Sequence, residues 1–124
     1  LKPEIKKLWV DALRSGEYKQ GSGQLYDKTP EGERYCCLGV LCRLAQQAGL
    51  EFSVDYLDPE LNHDYFGPDV AEWAGLDTDR LGDCNPVIDY EDSEEGEQEL
   101  HLSELNDDVG LTFSEIADII EEQL

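Results

Sequence analysis

Apolar and polar positions are spread very unevenly along this chain. The longest nearly uninterrupted apolar run is Tyr35-Cys36-Cys37-Leu38-Gly39-Val40-Leu41-Cys42-Arg43-Leu44-Ala45, in which only Arg43 is charged. In so polar a chain this run must supply the centre of the core, because burial of apolar area is the main favourable term in folding. It predicts a helix from about Cys37 to Gln47, with Leu38, Leu41, Cys42, Ala45 and Ala48 on one face and Val40 and Leu44 beside them. Gly49 ends it. So wide an apolar arc implies contacts on several sides.

Other periodic segments surround that run. Residues 3–14 read as a first helix: Pro3 suits the first turn, Ile5, Leu8, Trp9, Ala12 and Leu13 recur at helical spacing, and Gly16 follows as a C-cap. Residues 24–27 and 33–36 flank the turn-rich Thr29-Pro30-Glu31-Gly32 and predict a small hairpin feeding straight into the central helix. Residues 51–64 read as loop with at most a turn of helix. Residues 67–76 predict a short helix, with Pro68 and Asp69 in its first turn, Val70, Trp73 and Ala74 facing inward and Gly75 as a stop.

Residues 77–99 read as loop. Six of the ten positions 90–99 are acidic, so the stretch 89–99 is expected to be mobile or extended unless a cation or partner neutralises it. Leu100 and Leu102 resume apolar alternation, and residues 105–110 read as a turn. Thr112 and Glu115 form a capping box before a last helix striped by Phe113, Ile116, Ala117, Ile120 and Leu124, which should dock on the central helix. The resulting expectation is one α+β domain over residues 1–124, α-rich, with about four helices packed around a small β-hairpin. Residues 35–45 are then a strand-to-helix junction covered by the first and last helices.

Charge changes the picture more than composition does. The net charge is -21. Residues 1–50 hold eight basic and six acidic side chains, a net of +2, whereas residues 51–124 set Arg80 alone against twenty-four acids, a net of -23. Halophilic adaptation would spread acid over the whole surface, so the asymmetry weakens that explanation. Direct binding to nucleic acid or to an anionic membrane is disfavoured, because phosphate contacts demand clustered Lys and Arg. A cationic partner fits instead. No run approaches the roughly 20 apolar residues that cross a bilayer, and no signal-peptide pattern opens the chain, so a soluble, intracellular protein is expected.

Several motifs invite chemistry and stop short of it. Gly21 and Gly23 suggest a phosphate loop, but the third glycine of a dinucleotide fingerprint and the Lys-Ser/Thr of a P-loop are missing. Cys36, Cys37, Cys42 and Cys84 do not make a disulfide framework, and buried reduced thiols are the plain reading. Zinc would need paired cysteines at closer, repeated spacing than Cys37 and Cys42 provide. Asp77, Asp79 and Asp83 with Gly82 partly match an EF-hand loop, but Leu81 and Ile88 occupy ligand positions, which leaves weak Ca²⁺ binding at most. A Cys-His-Asn/Asp set could be drawn from Cys36 or Cys37 with His63 or His101 and Asn106 or Asp107, yet a reactive thiol needs an electropositive, partly exposed setting. Residues 110–120 look like the first helix of a helix-turn-helix, but the chain ends in acid where a recognition helix should follow.

Read in order, Leu8-Trp9-Val10-Asp11-Ala12-Leu13-Arg14-Ser15-Gly16-Glu17-Tyr18-Lys19-Gln20-Gly21, Tyr35-Cys36-Cys37-Leu38-Gly39-Val40-Leu41-Cys42, Val70-Ala71-Glu72-Trp73-Ala74-Gly75-Leu76, Asn85-Pro86, Leu105-Asn106-Asp107 and Phe113-Ser114-Glu115-Ile116-Ala117-Asp118 form an ordered set of blocks. They cover most of the chain and resemble a family of small uncharacterised proteins of tailed bacteriophages and prophages. The resemblance implies a phage accessory protein acting in the cytoplasm of the bacterial host, with no catalytic residues to carry over.

The functional expectation is therefore a non-enzymatic acidic module that binds a basic surface of a host protein, as a nucleic-acid mimic or counter-defence inhibitor. Asp89, Glu91, Asp92, Glu94, Glu95, Glu97 and Glu99 are the candidate contact residues. The alternative is a cation- or small-ligand-binding module using the carboxylates of residues 77–92, and a cysteine enzyme is a third reading. No cofactor is called for, and nothing in the sequence sets the oligomeric state.

Overall fold

The computed structural model describes residues 1–52, 55–61, 66–76, 86–92, 94 and 96–124. Among these residues the fold is α+β, with five α-helices and two antiparallel two-stranded sheets. The elements are α1 (Pro3–Ser15), β1 (Tyr26–Thr29), β2 (Gly32–Tyr35), α2 (Cys37–Gln47), α3 (Pro68–Ala74), β3 (Val87–Asp92), β4 (Gly96–His101), α4 (Leu102–Glu104) and α5 (Phe113–Gln123). A five-residue π-turn, Leu105–Val109, joins the last two helices. Buried side chains from all of the helices and from β1, β2 and β3 form one continuous cluster.

α2 lies at the centre of that cluster. Cys37, Leu38, Gly39, Val40, Leu41, Cys42 and Ala45 are all buried. The backbone of Leu25 crosses the helix so closely that a Cβ at Gly39 would sit 1.8 Å from the Leu25 carbonyl oxygen. That same oxygen accepts the N–H of Cys36 at 3.2 Å, so the start of α2 is tied to the segment entering β1. β1 and β2 pair from Tyr26–Tyr35 to Thr29–Gly32 around Pro30 and Glu31. The segment at Gln20 runs parallel beside β2, with Gly21 N–H donating to the Tyr35 carbonyl at 2.7 Å.

α1 buries Ile5, Trp9, Val10 and Leu13 and ends at Gly16 in the left-handed region. Leu8, expected in its apolar stripe, is 49% exposed. The buried arc is turned toward Val10 because α2 and α5 both pack on this helix. α5 carries the expected capping box, with the Glu115 N–H donating to Thr112 Oγ1 at 3.2 Å and Thr112 N–H to Glu115 Oε1 at 3.1 Å. Its main partner is α1 rather than α2. Arg14 on α1 reaches Asp118 at 2.5 Å and Glu121 at 2.7 Å on α5. Residues 35–45 are packed chiefly by α1, α3 and α4, and the last helix joins the same core mainly through α1.

Three further expectations are corrected. The stretch 77–99, read as loop, holds β3 and most of β4, which form a second hairpin paired from Val87–His101 to Asp92–Gly96. Residues 105–110 are not a simple turn: Leu102 and Leu105 are buried three positions apart, which continues α4 into the π-turn until Gly110, at φ 80°, ends it. Trp73 is half-buried against the core, while Val70, Ala71 and Ala74 carry the inward face of α3. Residues 56–61 form turns, in keeping with the expected loop.

Candidate functional site

The second hairpin displays four of the candidate carboxylates, Asp89, Glu91, Glu97 and Glu99. Four even-numbered positions of β3 and β4 face the core: Ile88 is buried, and Tyr90, Gln98 and Leu100 are half-buried. Odd-numbered Asp89, Glu91, Glu97 and Glu99 are exposed on the opposite face. A strand's two-residue period thus sorts acids from apolar side chains, which composition alone conceals. Gly96, at φ 78°, supplies the left-handed residue at the turn.

The ladder sets these acids directly against one another, Asp89 opposite Glu99 and Glu91 opposite Glu97. Two hydrogen bonds fix which kind of pair they form. Leu102 N–H donates to the Pro86 carbonyl at 2.7 Å, one step beyond Val87–His101, so the ladder bonds fall on the even-numbered β3 residues. The backbone of Asp89 points away from β4: its N–H donates to Gln123 Oε1 at 2.8 Å, and its carbonyl accepts from Gln123 Nε2 at 2.7 Å. Asp89–Glu99 and Glu91–Glu97 are therefore non-hydrogen-bonded pairs, whose Cα atoms approach to about 4.5 Å and whose side chains come closest. Along each strand the acids recur about every 6.8 Å. Asp89, Tyr90, Glu91 and Glu97 line a shallow recess of ≈ 240 Å³.

The first hairpin obeys the opposite rule. There Asp27 stands opposite Arg34, and Lys28 opposite Glu33. One chain thus carries a hairpin with both charged pairs complementary and another with two like-charged pairs.

Of the remaining predicted contact residues, Asp92 closes the β3–β4 ladder opposite Gly96, and Glu94 is exposed in the turn. Glu95 and the EF-hand-like Asp77, Asp79 and Asp83 lie outside the described residues, as do His63 and Cys84. Among the described residues no group of three or more His, Cys, Asp and Glu side chains is placed to hold a metal ion.

The family model of a domain of unknown function, DUF8296, matches residues 1–124. The chain belongs to the DUF8296 family. No curated protein and no solved structure matches it. What this DUF8296 domain can do chemically must be read from its own side chains.

Cysteine chemistry finds little support. Burial pushes the Cys36 thiol up to about 12 and raises Cys37 and Cys42 well above the ordinary value, so the nucleophilic thiolate is scarce at neutral pH. Cys37 Sγ lies 3.7 Å from the Leu102 carbonyl oxygen, a weak donor's contact. His101 Nδ1 lies 3.0 Å from Glu104 Oε1. Asn106, only 4% exposed, accepts from Gln20 Nε2 at 2.9 Å and donates to the Gly21 carbonyl and to Asp107 Oδ1, both at 2.8 Å. It fastens the π-turn to the glycine-bearing loop, which gives Gly21 a structural task instead of a phosphate.

Sequence reasoning missed Gln123, which holds the β3 edge from 34 residues away. No local pattern marks such a contact. It also missed Asn106 as a buried hub, although Leu105-Asn106-Asp107 stood out as a block.

Proposed function

We propose that this DUF8296 protein is a phage-encoded, non-enzymatic accessory protein whose β3–β4 carboxylates bind a basic surface of a bacterial host protein, in competition with nucleic acid. The observation that carries the reading is the facing of like charges, Asp89 with Glu99 and Glu91 with Glu97, in a chain whose other hairpin pairs opposite charges. Like charges directly opposite are destabilising in a ladder, so an array of four on one face is a feature that folding alone does not favour. A Lys- and Arg-rich surface would be drawn to that face. The separations, about 4.5 Å across the strands and about 6.8 Å along them, offer the kind of regular negative charge that a nucleic-acid site is built to receive. Association should be fast and strongly salt-dependent.

The test is affinity capture from bacterial lysate at low and high salt, with wild type and an Asp89→Asn/Glu91→Gln/Glu97→Gln/Glu99→Gln variant as baits. The expected result is a nucleic-acid-binding protein retained by wild type at low salt, released at high salt and displaced by added DNA. Failure to recover such a protein at either salt, or equal recovery by the neutralised variant, would overturn the proposal.

A further inference from the structure

Arg14 and Arg43 are both arginines at the margin of the core, and their surroundings differ in kind. Arg14 holds two carboxylates, Asp118 and Glu121. Arg43, half-buried on α2, holds none among the described residues. Its guanidinium carbon lies 5.7 Å from the ring centroids of both Tyr26 and Tyr35. Nε donates to the Tyr35 hydroxyl at 3.1 Å, and Nη1 donates to Gln46 Oε1. Nη2 has no acceptor among the described residues. The tyrosines are themselves fixed: Tyr18 meets Tyr35 edge-on at 5.3 Å, Tyr26 lies 5.2 Å from Tyr35, and the Tyr26 hydroxyl donates to Glu33 Oε1 at 2.8 Å. Glu33 is thereby engaged by a hydroxyl rather than by the guanidinium.

This arrangement pre-orients a cation without neutralising it. Aromatic rings and two neutral acceptors hold the guanidinium in place, which lowers the entropy that binding must overcome, while the Nη1–Nη2 edge keeps donors for an incoming group. Two donors in one plane suit an oxyanion with two acceptor oxygens. The position also lies in the half of the chain with net charge +2, on a different element from the acidic hairpin.

We propose that Arg43, framed by Tyr18, Tyr26 and Tyr35, is a binding site for an external oxyanion, a carboxylate or a phosphate group, seated on the Nη1–Nη2 edge of the guanidinium. The site is independent of the function proposed above.

The guanidinium Nε–H signals of Arg43 and Arg14 in proton–nitrogen NMR provide the test. Sodium phosphate and, in a separate arm, sodium acetate are titrated into the full chain at ionic strength held constant with sodium chloride. The expected result is a saturable shift at Arg43 with half-change on the order of 1 mM, weak as befits one guanidinium, and no saturable shift at Arg14. Saturation by phosphate alone assigns a tetrahedral anion, and saturation by acetate alone a planar one. In an Arg43→Lys variant, which keeps the charge but not the fork, the accompanying shift of the Tyr35 ring signals should weaken at least tenfold. Linear drift of equal size at both arginines means an adventitious ion only and overturns the proposal, as does a Tyr35 response unchanged in Arg43→Lys.

Discussion

The indole N–H of Trp9 donates to the carbonyl oxygen of Cys37 at 3.0 Å, and both residues are fully buried. This contact joins α1 to the first turn of α2 in an environment without competing water, where losing a partner costs most. Trp9→Phe removes the donor and part of the ring volume, and should lower stability by about 2 kcal/mol. Urea unfolding checks it: the midpoint should fall with the slope unchanged. Trp73→Phe, at a half-buried position, should cost less than half as much, and equal losses would contradict the role assigned to Trp9.

Gly39 is required by proximity rather than by backbone angle. A Cβ there would meet the Leu25 carbonyl carbon at 2.7 Å as well as its oxygen, and backbone has little room to give. Gly39→Ala should therefore cost about 3 kcal/mol or more, although alanine is the better helix former. Gly16→Ala, at a left-handed C-cap with open space around it, should cost only about 1 kcal/mol. A melting temperature for Gly39→Ala at or above that of Gly16→Ala would defeat the argument.

Elements whose signals are local were legible in the sequence. α2 spans Cys37–Gln47 as its apolar run implies, and α3 begins at Pro68. α5 starts at the Thr112–Glu115 capping box, and the first hairpin turns at Pro30 and Glu31. The second hairpin was hidden because its inward positions, Ile88, Tyr90, Gln98 and Leu100, are few and separated by acids that read as a solvated loop. Where α5 docks was also illegible. Its stripe says that it packs, but the choice of α1 as its main partner rests on tertiary contacts that no local pattern encodes. The acids were nominated by charge, and their pairing across β3 and β4 needed the register.

Relief of like-charge pairing predicts a gain in stability. Glu97→Gln or Asp89→Asn leaves one carboxylate of a facing pair beside an amide, which should raise stability by about 0.5 kcal/mol or less for each exposed pair at low ionic strength. The gain should shrink as salt is added, because the Debye length falls from about 30 Å at 0.01 M to about 8 Å at 0.15 M. Thermal unfolding of both variants at the two salt concentrations measures this. A loss of stability at low salt would show that the face is held by attractive contacts instead.

Gln123 is expected to matter beyond its exposed position at the end of α5. Its amide satisfies both outward backbone groups of Asp89, so it substitutes for a neighbouring strand along the edge of β3. Gln123→Ala should cost about 1 kcal/mol and raise the hydrogen-exchange rate of the Asp89 amide, while leaving Ile88 and Tyr90, whose bonds lie within the ladder, protected. Gln123→Glu keeps the acceptor for the Asp89 N–H but loses the donor to its carbonyl. It should therefore protect the amide only in part.

Stability should fall in alkaline solution, and the sign follows from burial. The Cys36 thiol is raised from 9.0 to about 12 by removal from water, and Cys37 and Cys42 are raised well above their ordinary value by the same cause. Tyr26 is raised from 10.0 to about 12, first by burial and then by its hydrogen bond to Glu33. Each group ionises more easily unfolded than folded. Its contribution is fully present below the unfolded pKa and is lost as pH climbs toward the folded one. The free energy of unfolding should hold level below about pH 8.5 and decline between about 9 and 12. Replacing Cys36, Cys37 and Cys42 by Ala should flatten the first part of that decline, leaving Tyr26 and Tyr35, whose phenols burial raises, to act above about pH 10. Iodoacetamide at pH 8 supplies the companion measurement. The three thiols should label only as fast as the chain opens, so a rate matching that of free cysteine would overturn both the burial and the pH argument.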